Sequence, residues 1–361
     1  MRLRTMMLLL SLTFAAFVMP LFGQEQTPES SPLVEPVNSL EGVNIYFTEA
    51  NGESSRFDQS DPGLSRFAGL LRRQGANLYT LEWRTRFPTD ADLIIVAGPI
   101  TDFSADQTAR LWAYTSNGGR LLLLSNPIFE NQNRQAWQSA SGFYSLMWGD
   151  LSLRGRNDMV VTEVSQLADA EATEEPGATD RLVTRFAATN INPEHPITTA
   201  LTGGMDIFSG RSIEFDSSLR DYDVTPLITS ESIYYGEAQF GTYLDARTFE
   251  YNIGTDTARG ALVLAVALDD PRSNTRIVLI GDREFATNGG RFNTSPPRSA
   301  SFLYPNNVRF MMNAVSWLLD TDIEEYRFPT PGPSSTPTLT PSPTPTYTPT
   351  PSVTATPTPG A

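Results

Sequence analysis

The sequence predicts an α/β protein built on a doubly wound, mainly parallel sheet, flavodoxin-like in kind, with a β-rich elaboration in its second half. Three observations predict it. Residues 92–97 (DLIIVA) and 120–124 (RLLLL) are continuous apolar runs, the composition of strands buried on both faces. A helix-length segment separates them. Strand-like and helix-like segments alternate in a β-α-β-β-α-β order from residue 43 to residue 124.

Residues 43–47 (VNIYF) read as the first strand. Residues 62–74 read as a helix, with Asp61 as N-cap, Pro62 in its first position and Gly75 just beyond its end. Leu64, Phe67, Leu70 and Leu71 recur on one face of it. Residues 77–83 (NLYTLEW) alternate as a second strand, and the run 92–97 ends at Gly98-Pro99. Ser104 and Gln107 have the spacing of a capping box that opens a helix to about Asn117, stopped by Gly118-Gly119.

In the second half, residues 159–164, 212–215 and 225–229 read as strands, and the acidic stretch 169–180 as an exposed loop. Residues 262–268 (LVLAVAL) and 276–280 (RIVLI) return the chain to the central sheet. Residues 307–319 form a closing helix, with Val308, Met311, Met312, Val315 and Leu319 at core spacing. No internal repeat is visible.

Around this domain (41–328) lie three segments of different character. Residues 1–23 place Arg2 and Arg4 before a mostly apolar run, the pattern of a secretory leader; a cleaved signal peptide and a retained anchor both fit. Residues 24–40 are a polar, Pro-bearing linker. Residues 329–361 hold no charge and repeat Thr-Pro steps, so they form neither ladder nor helix. As extended polyproline they reach on the order of 100 Å, as a stalk does. The expected location is extracytoplasmic, secreted or held to the outer face of the cell membrane by residues 1–23.

Composition excludes several chemistries. A net charge of −15 repels phosphate backbones, so nucleic acid is not an expected partner. The chain contains neither Cys nor Lys, which removes thiolate nucleophiles, Cys-built zinc sites, the phosphate-loop lysine and Schiff-base chemistry. His195 is the single histidine, so a Ser-His-Asp triad has at most one candidate for its base. No cofactor and no metal is expected.

Several segments then line up with a known family. DLIIVAGP at 92–99 and GGRLLLLSNP at 118–127 resemble the extracytoplasmic domain of GldG-type proteins, auxiliary components of ABC transport systems. HPITTAL (195–201), LITSESIYYGE (227–237), GALVLAVAL (260–268), IGDREFATNGG (280–290) and NAVSWLL (313–319) follow in the same order. The resemblance implies a class I glutamine amidotransferase-like fold and partnership with an ABC permease or ATPase, or with a cell-envelope component. Members of that family typically carry a C-terminal membrane helix, and here a Thr-Pro tail stands in its place.

Amidotransferases of this fold carry a catalytic Cys on a tight turn after a central strand, and the turn here is Ser125-Asn126-Pro127. Serine needs a general base in reach, and His195, in NPEHPI, reads better as a capping residue than as the partner of Ser125. The strand ends make Gly98, Pro99, Ser125, Asn126, Asp282 and Asn288 the candidate ligand-binding residues. Asp282, Glu284 and Asn288 would either cluster around a polar ligand or hard cation, or simply form a turn. Asp269-Asp270 reads as a solvated pair. Tyr234, Tyr235, Phe240 and Tyr243 would stack on a sugar or pack over the sheet edge. No catalytic residue is assigned. A non-catalytic binding or adaptor domain is the expected function, ahead of a surface-displayed carbohydrate or envelope-binding module and of a hydrolase using Ser125 or carboxylates.

Overall fold

The computed structural model describes residues 39–84, 87–127, 141–163, 182–216, 218, 222–240, 251–289 and 305–323. The leader 1–23, most of the linker, the acidic stretch 169–180, Tyr243 and the tail 329–361 lie outside these. The first half runs β1 (Asn44–Phe47), α1 (Ser65–Arg73), β2 (Asn77–Thr80), β3 (Leu93–Ala97), α2 (Ala105–Ser116), β4 (Arg120–Leu124) and α3 (Ser141–Leu151). Then come β5 (Leu153–Gly155), β6 (Met159–Glu163), β7 (Leu182–Val183), β8 (Arg185–Ala188), β9 (Asn190–Ile191), β10 (Met205–Phe208), β11 (Ile213–Phe215) and β12 (Asp223–Thr229). Last are β13 (Tyr235–Glu237), β14 (Val263–Asp270), β15 (Thr275–Ile280) and α4 (Pro305–Leu319).

One eight-stranded sheet organises these elements, in the order β2-β1-β3-β4-β15-β14-β12-β9. From β2 to β15 neighbours are parallel, and β14, β12 and β9 extend one edge antiparallel. The predicted fold class holds. The parallel part reverses direction of winding between β1 and β3, the place where doubly wound sheets form a ligand crevice. Small sheets pair β10 with β8, β11 with β5, and β6 with both β13 and β7, which is the β-rich elaboration expected of the second half.

Both faces of the central strands are covered, so they read as unbroken apolar runs. Leu93, Ile95, Ala97, Val278 and Ile280 pack with residues of α1 and α4. Ile94, Val96, Leu121, Leu123, Ile277 and Leu279 pack with residues of α2 and α3. Leu121 to Leu124 are fully buried, each contributing about 2 kcal/mol of transfer free energy. The antiparallel edge depends on the turn between β14 and β15. There Asp270 accepts from the Arg272 backbone N–H at 3.1 Å and from its Nε at 2.9 Å, and Asn274 takes φ +59°. Asp270 is 5% exposed and held below the usual carboxylate range chiefly by Arg272. The reading of Asp269-Asp270 as a solvated pair is therefore corrected for Asp270, which locks the hairpin; Asp269 keeps a side chain 39% exposed beside Arg276.

Local signals placed α2 correctly. Ser104 Oγ accepts from the Gln107 N–H at 3.2 Å, and Gln107 Oε1 accepts from the Ser104 N–H at 2.8 Å. They misplaced the start of α1, which begins at Ser65, with Asp61 outside the helix. Residues 58–63 are drawn into turns instead, Ser60 N–H donating to Asp58 Oδ1 at 2.8 Å and Gly63 N–H to the Ser60 carbonyl at 3.0 Å. β2 also stops at Thr80, three residues short of the predicted strand. Helix α3 was not anticipated, because Gly142 and Gly149 interrupt the spacing of Phe143, Met147 and Leu151. Among the described residues no helix is long and apolar enough to cross a membrane.

Candidate ligand site at the carboxyl ends of the strands

Five of the six predicted residues lie where β3, β4 and β15 end. As β4 leaves the sheet, the Ser125 N–H donates to the Ile280 carbonyl at 3.0 Å. Its Oγ accepts from Arg211 Nη1 at 2.9 Å. Arg211 is 5% exposed, and its Nε donates to the Arg156 carbonyl. Asn126 Oδ1 accepts from the Arg283 N–H, joining the ends of β4 and β15. Gly98 takes φ +65°, and a Cβ there would lie 2.1 Å from Arg283 Cδ, so the arginine stem occupies the space a side chain would fill. Pro99 follows Gly98 directly at the end of β3.

Asp282 is the most deeply placed carboxylate at this edge. It is 1% exposed; one oxygen accepts from the Phe208 N–H at 2.8 Å, and the other has no hydrogen-bond partner. Burial pushes its carboxyl well above the usual range, and the nearby carboxylates of Glu284 and Asp206 add to this. Glu284 is also buried, held by Arg283 Nη2 at 2.9 Å and by the Thr287 hydroxyl at 3.0 Å. Asp206 accepts from Arg185 Nε at 3.1 Å, and burial raises its carboxyl too. The folded chain thus keeps a proton on Asp282 that the unfolded chain has released. That stability is fully present below the ordinary carboxylate pKa and is lost as pH rises through the folded value. Asp282→Asn removes the dependence. Its melting temperature relative to the parent is expected to climb as pH rises above the ordinary carboxylate range and to level off once pH passes the raised folded value. A pH-independent difference in paired thermal melts would show that Asp282 is ionised in the folded protein.

Asn288 does not join this group. Its side chain reaches the other way, accepting from the Arg66 N–H at 2.9 Å and donating to the carbonyls of Asp58 and Ser60 at 2.8 Å each. Of the two readings of Asp282, Glu284 and Asn288, the turn is the one that holds, their side chains serving the Phe208 N–H, the Thr287 hydroxyl and the Arg66 N–H respectively. Among the described residues no group of three or more His, Asp or Glu side chains is arranged to hold a metal.

The pairing of Ser125 with His195 is also excluded by position. His195 Nδ1 accepts from the Ile197 N–H at 3.2 Å, and its ring packs 5.2 Å from Trp317. Arg276, at the start of β15, lies over that same indole at 5.1 Å. Ser125 meets β15 at its last residue. Arg276 and Ile280 lie roughly 13 Å apart along the strand, at ~3.3 Å per residue, so His195 and Ser125 attend its opposite ends. Burial lowers the histidine pKa, in keeping with a capping role. The aromatic segment is likewise packed inward: Tyr234, Tyr235 and Phe240 are buried, so of their two readings packing holds and the sugar platform does not.

Sequence reasoning missed Arg211 and Arg283, since an isolated arginine in a loop carries no periodic or motif signal. It also missed the loop after β1, which fills the crevice between β1 and β3. There Asn51 Nδ2 donates to the Asp102 carbonyl, and Gln107 Nε2 donates to Asn51 Oδ1, both at 2.9 Å. Glu53, 7% exposed, accepts from the Asn51 N–H at 2.6 Å, and burial raises its carboxyl. Beyond this laced crevice an open cleft of about 630 Å³ lies over the ends of β1 and β2 and the start of α2, walled by Glu49, Thr80, Glu82, Trp83 and Gln107 among others.

Fold and edge together define a doubly wound α/β domain whose carboxyl edge is filled by its own arginines and amides. The chain belongs to the family described as an ABC-type uncharacterized transport system (ABC_transp_aux), matched over residues 43–314. Among solved structures it is similar to the mmIFT52 N-terminal domain, at 13% identity and TM-score 0.47, covering 78% of this chain and 99% of that one. It is also similar to a ThuA-like protein from Bacteroides uniformis, at 11% identity and TM-score 0.37, covering 80% and 94% of the two chains. A ThuA-like protein from Parabacteroides merdae matches at 11% identity and TM-score 0.39, covering 78% and 91%. A search of curated proteins finds no match.

Proposed function

We propose that this chain is a non-catalytic, extracytoplasmic binding or adaptor domain that works beside an ABC permease and ATPase. Family membership over residues 43–314 supports the transport association. The observation that carries the non-catalytic part is the state of Ser125. Its hydroxyl, 2% exposed, faces a guanidinium, and an arginine stays protonated and takes no proton from a nucleophile. The carboxylates that gather nearby are buried at 1% to 7% exposure, so they do not face a substrate in an open cleft. The basic-then-apolar pattern of residues 1–23 supports export, and the acidic surface suits a partner other than nucleic acid.

The test is capture of the full chain, tagged after Ala361, from a detergent-solubilised membrane fraction of its own host. Co-purification of an ABC permease or ATPase is expected. Recovery of neither, with the protein mainly in the medium or wall fraction, would overturn the transport reading.

A further inference from the structure

Among the described residues two aromatic side chains are exposed, Phe57 at 62% and Tyr79 at 42%, and both attend the same arginine. The Arg56 guanidinium lies 3.8 Å over the Phe57 ring. Arg56 and Tyr79 are also walls of one open cleft of about 490 Å³. The parallel register of β1 and β2 sets Tyr46 directly beside Tyr79, and their rings stack at 5.0 Å with 27° between planes. This side of the sheet edge therefore presents a flat aromatic floor.

Polar groups are fixed around that floor. The Tyr46 hydroxyl donates to Asp90 Oδ1 at 3.1 Å. Arg56 Nη2 donates to Thr80 Oγ1 at 3.0 Å, and Thr80 in turn donates to Glu49 Oε2 at 2.6 Å. Arg56 is 7% exposed, and its Nε–H has no hydrogen-bond partner.

The mixture of charges selects the ligand class. A simple cation entering the cleft meets Arg56, and a simple anion meets Glu82 and Asp90. A neutral ring with one apolar face and hydroxyls that both donate and accept meets neither penalty. We propose that the cleft over Tyr46 and Tyr79 binds a neutral saccharide. The apolar face of one sugar unit lies on Tyr79, with hydroxyls to the polar walls Arg56, Glu82 and Asp90. The volume is in the range of small-molecule sites. The adjoining cleft of about 630 Å³ shares Thr80 and Glu82 with it, so the groove continues past one sugar unit toward Trp83. An oligosaccharide then binds more tightly than its monomer.

This site stands apart from the transport partnership and does not depend on it. It is tested by titrating the purified full chain with neutral oligosaccharides of one to six units from several sugar series, followed by calorimetry and tryptophan fluorescence. Saturable binding that strengthens with chain length, with a change in Trp83 emission, is the expected result. Tyr79→Ala should weaken it at least tenfold while leaving the thermal melt in place, and Tyr79→Phe should preserve it. Arg56→Met should weaken it as well. Silence across the panel to millimolar concentration would overturn the proposal, as would binding indifferent to Tyr79→Ala. So would saturation by tetramethylammonium or an oligoarginine peptide in place of the sugars.

Discussion

Replacing Asn288 with alanine is expected to destabilise the protein by about 3 kcal/mol, through a helix that lies more than 200 residues earlier in the chain. The Asn288 side chain is the N-terminal cap of α1, accepting from the Arg66 N–H at 2.9 Å, with the Ser65 hydroxyl at 3.4 Å. Loss of such a cap costs roughly 1 kcal/mol. Its amide also satisfies two carbonyls, Asp58 and Ser60, at 2.8 Å each. Each carbonyl keeps one backbone donor, Ser65 N–H for Asp58 at 3.3 Å and Gly63 N–H for Ser60 at 3.0 Å, so losing the two amide bonds adds a net hydrogen bond's worth, about 1 kcal/mol apiece. The midpoint of thermal unfolding should fall by roughly 5–10 °C. Asn288→Asp separates cap from lock. It keeps an acceptor for Arg66 but turns a carboxylate toward two carbonyl oxygens, so it should be at least as damaging as alanine. Losses below about 0.5 kcal/mol for both variants would mean that the 58–66 segment is held by other contacts.

Gly281→Ala should be the most disruptive single methyl in the sheet. An ideal Cβ at this position would sit 2.1 Å from the Arg211 carbonyl oxygen and 3.3 Å from that of Leu264. Neither backbone can retreat freely. The Gly281 N–H donates to the Leu264 carbonyl at 2.8 Å, and the Gly281 carbonyl accepts from the Arg211 N–H at 2.6 Å. Overpacking of this kind costs about 3 kcal/mol or more. Because Arg211 carries the guanidinium that reaches Ser125, relief of the clash would also move that contact. Gly260→Ala is the control, since a Cβ there meets nothing within 4 Å. It should lie within about 0.5 kcal/mol of the parent in urea unfolding. Equal midpoints for the two variants would show that the strand exits are not packed as described.

The central strands were legible because their environment is uniform. Residues between two helical layers see apolar neighbours on both sides, so 92–97 and 120–124 announce themselves without alternation. The start of α2 was legible because its capping box closes within three residues, a range over which sequence spacing and spatial distance agree. The candidate site was legible in part. Strand ends converge wherever strands run parallel, and this brought Gly98, Ser125, Asn126 and Asp282 to one edge, as expected. Their use was hidden. Arg211 meets Ser125 across 86 residues and Asn288 meets Arg66 across 222, and a local pattern holds no information on such pairs. The tyrosines show the same division. Tyr234, Tyr235 and Phe240, close together in sequence, are buried, while Tyr46 and Tyr79 become neighbours only through strand register.

By itself, then, the sequence determined the layered α/β architecture, the exclusion of thiol and lysine chemistry, and the family. The first two follow from composition and from patterns within a few residues along the chain; the family follows from the resemblance of ordered segments and the match over residues 43–314. Only the tertiary structure decided which polar groups are spent on the fold and which remain for a ligand. It closed the predicted edge with Arg211, Arg283 and Asn51, and it left an unsatisfied arginine beside an exposed tyrosine at the neighbouring edge. The physical reason is that a hydrogen bond is satisfied in space, and only the folded chain shows which donors have found their acceptors.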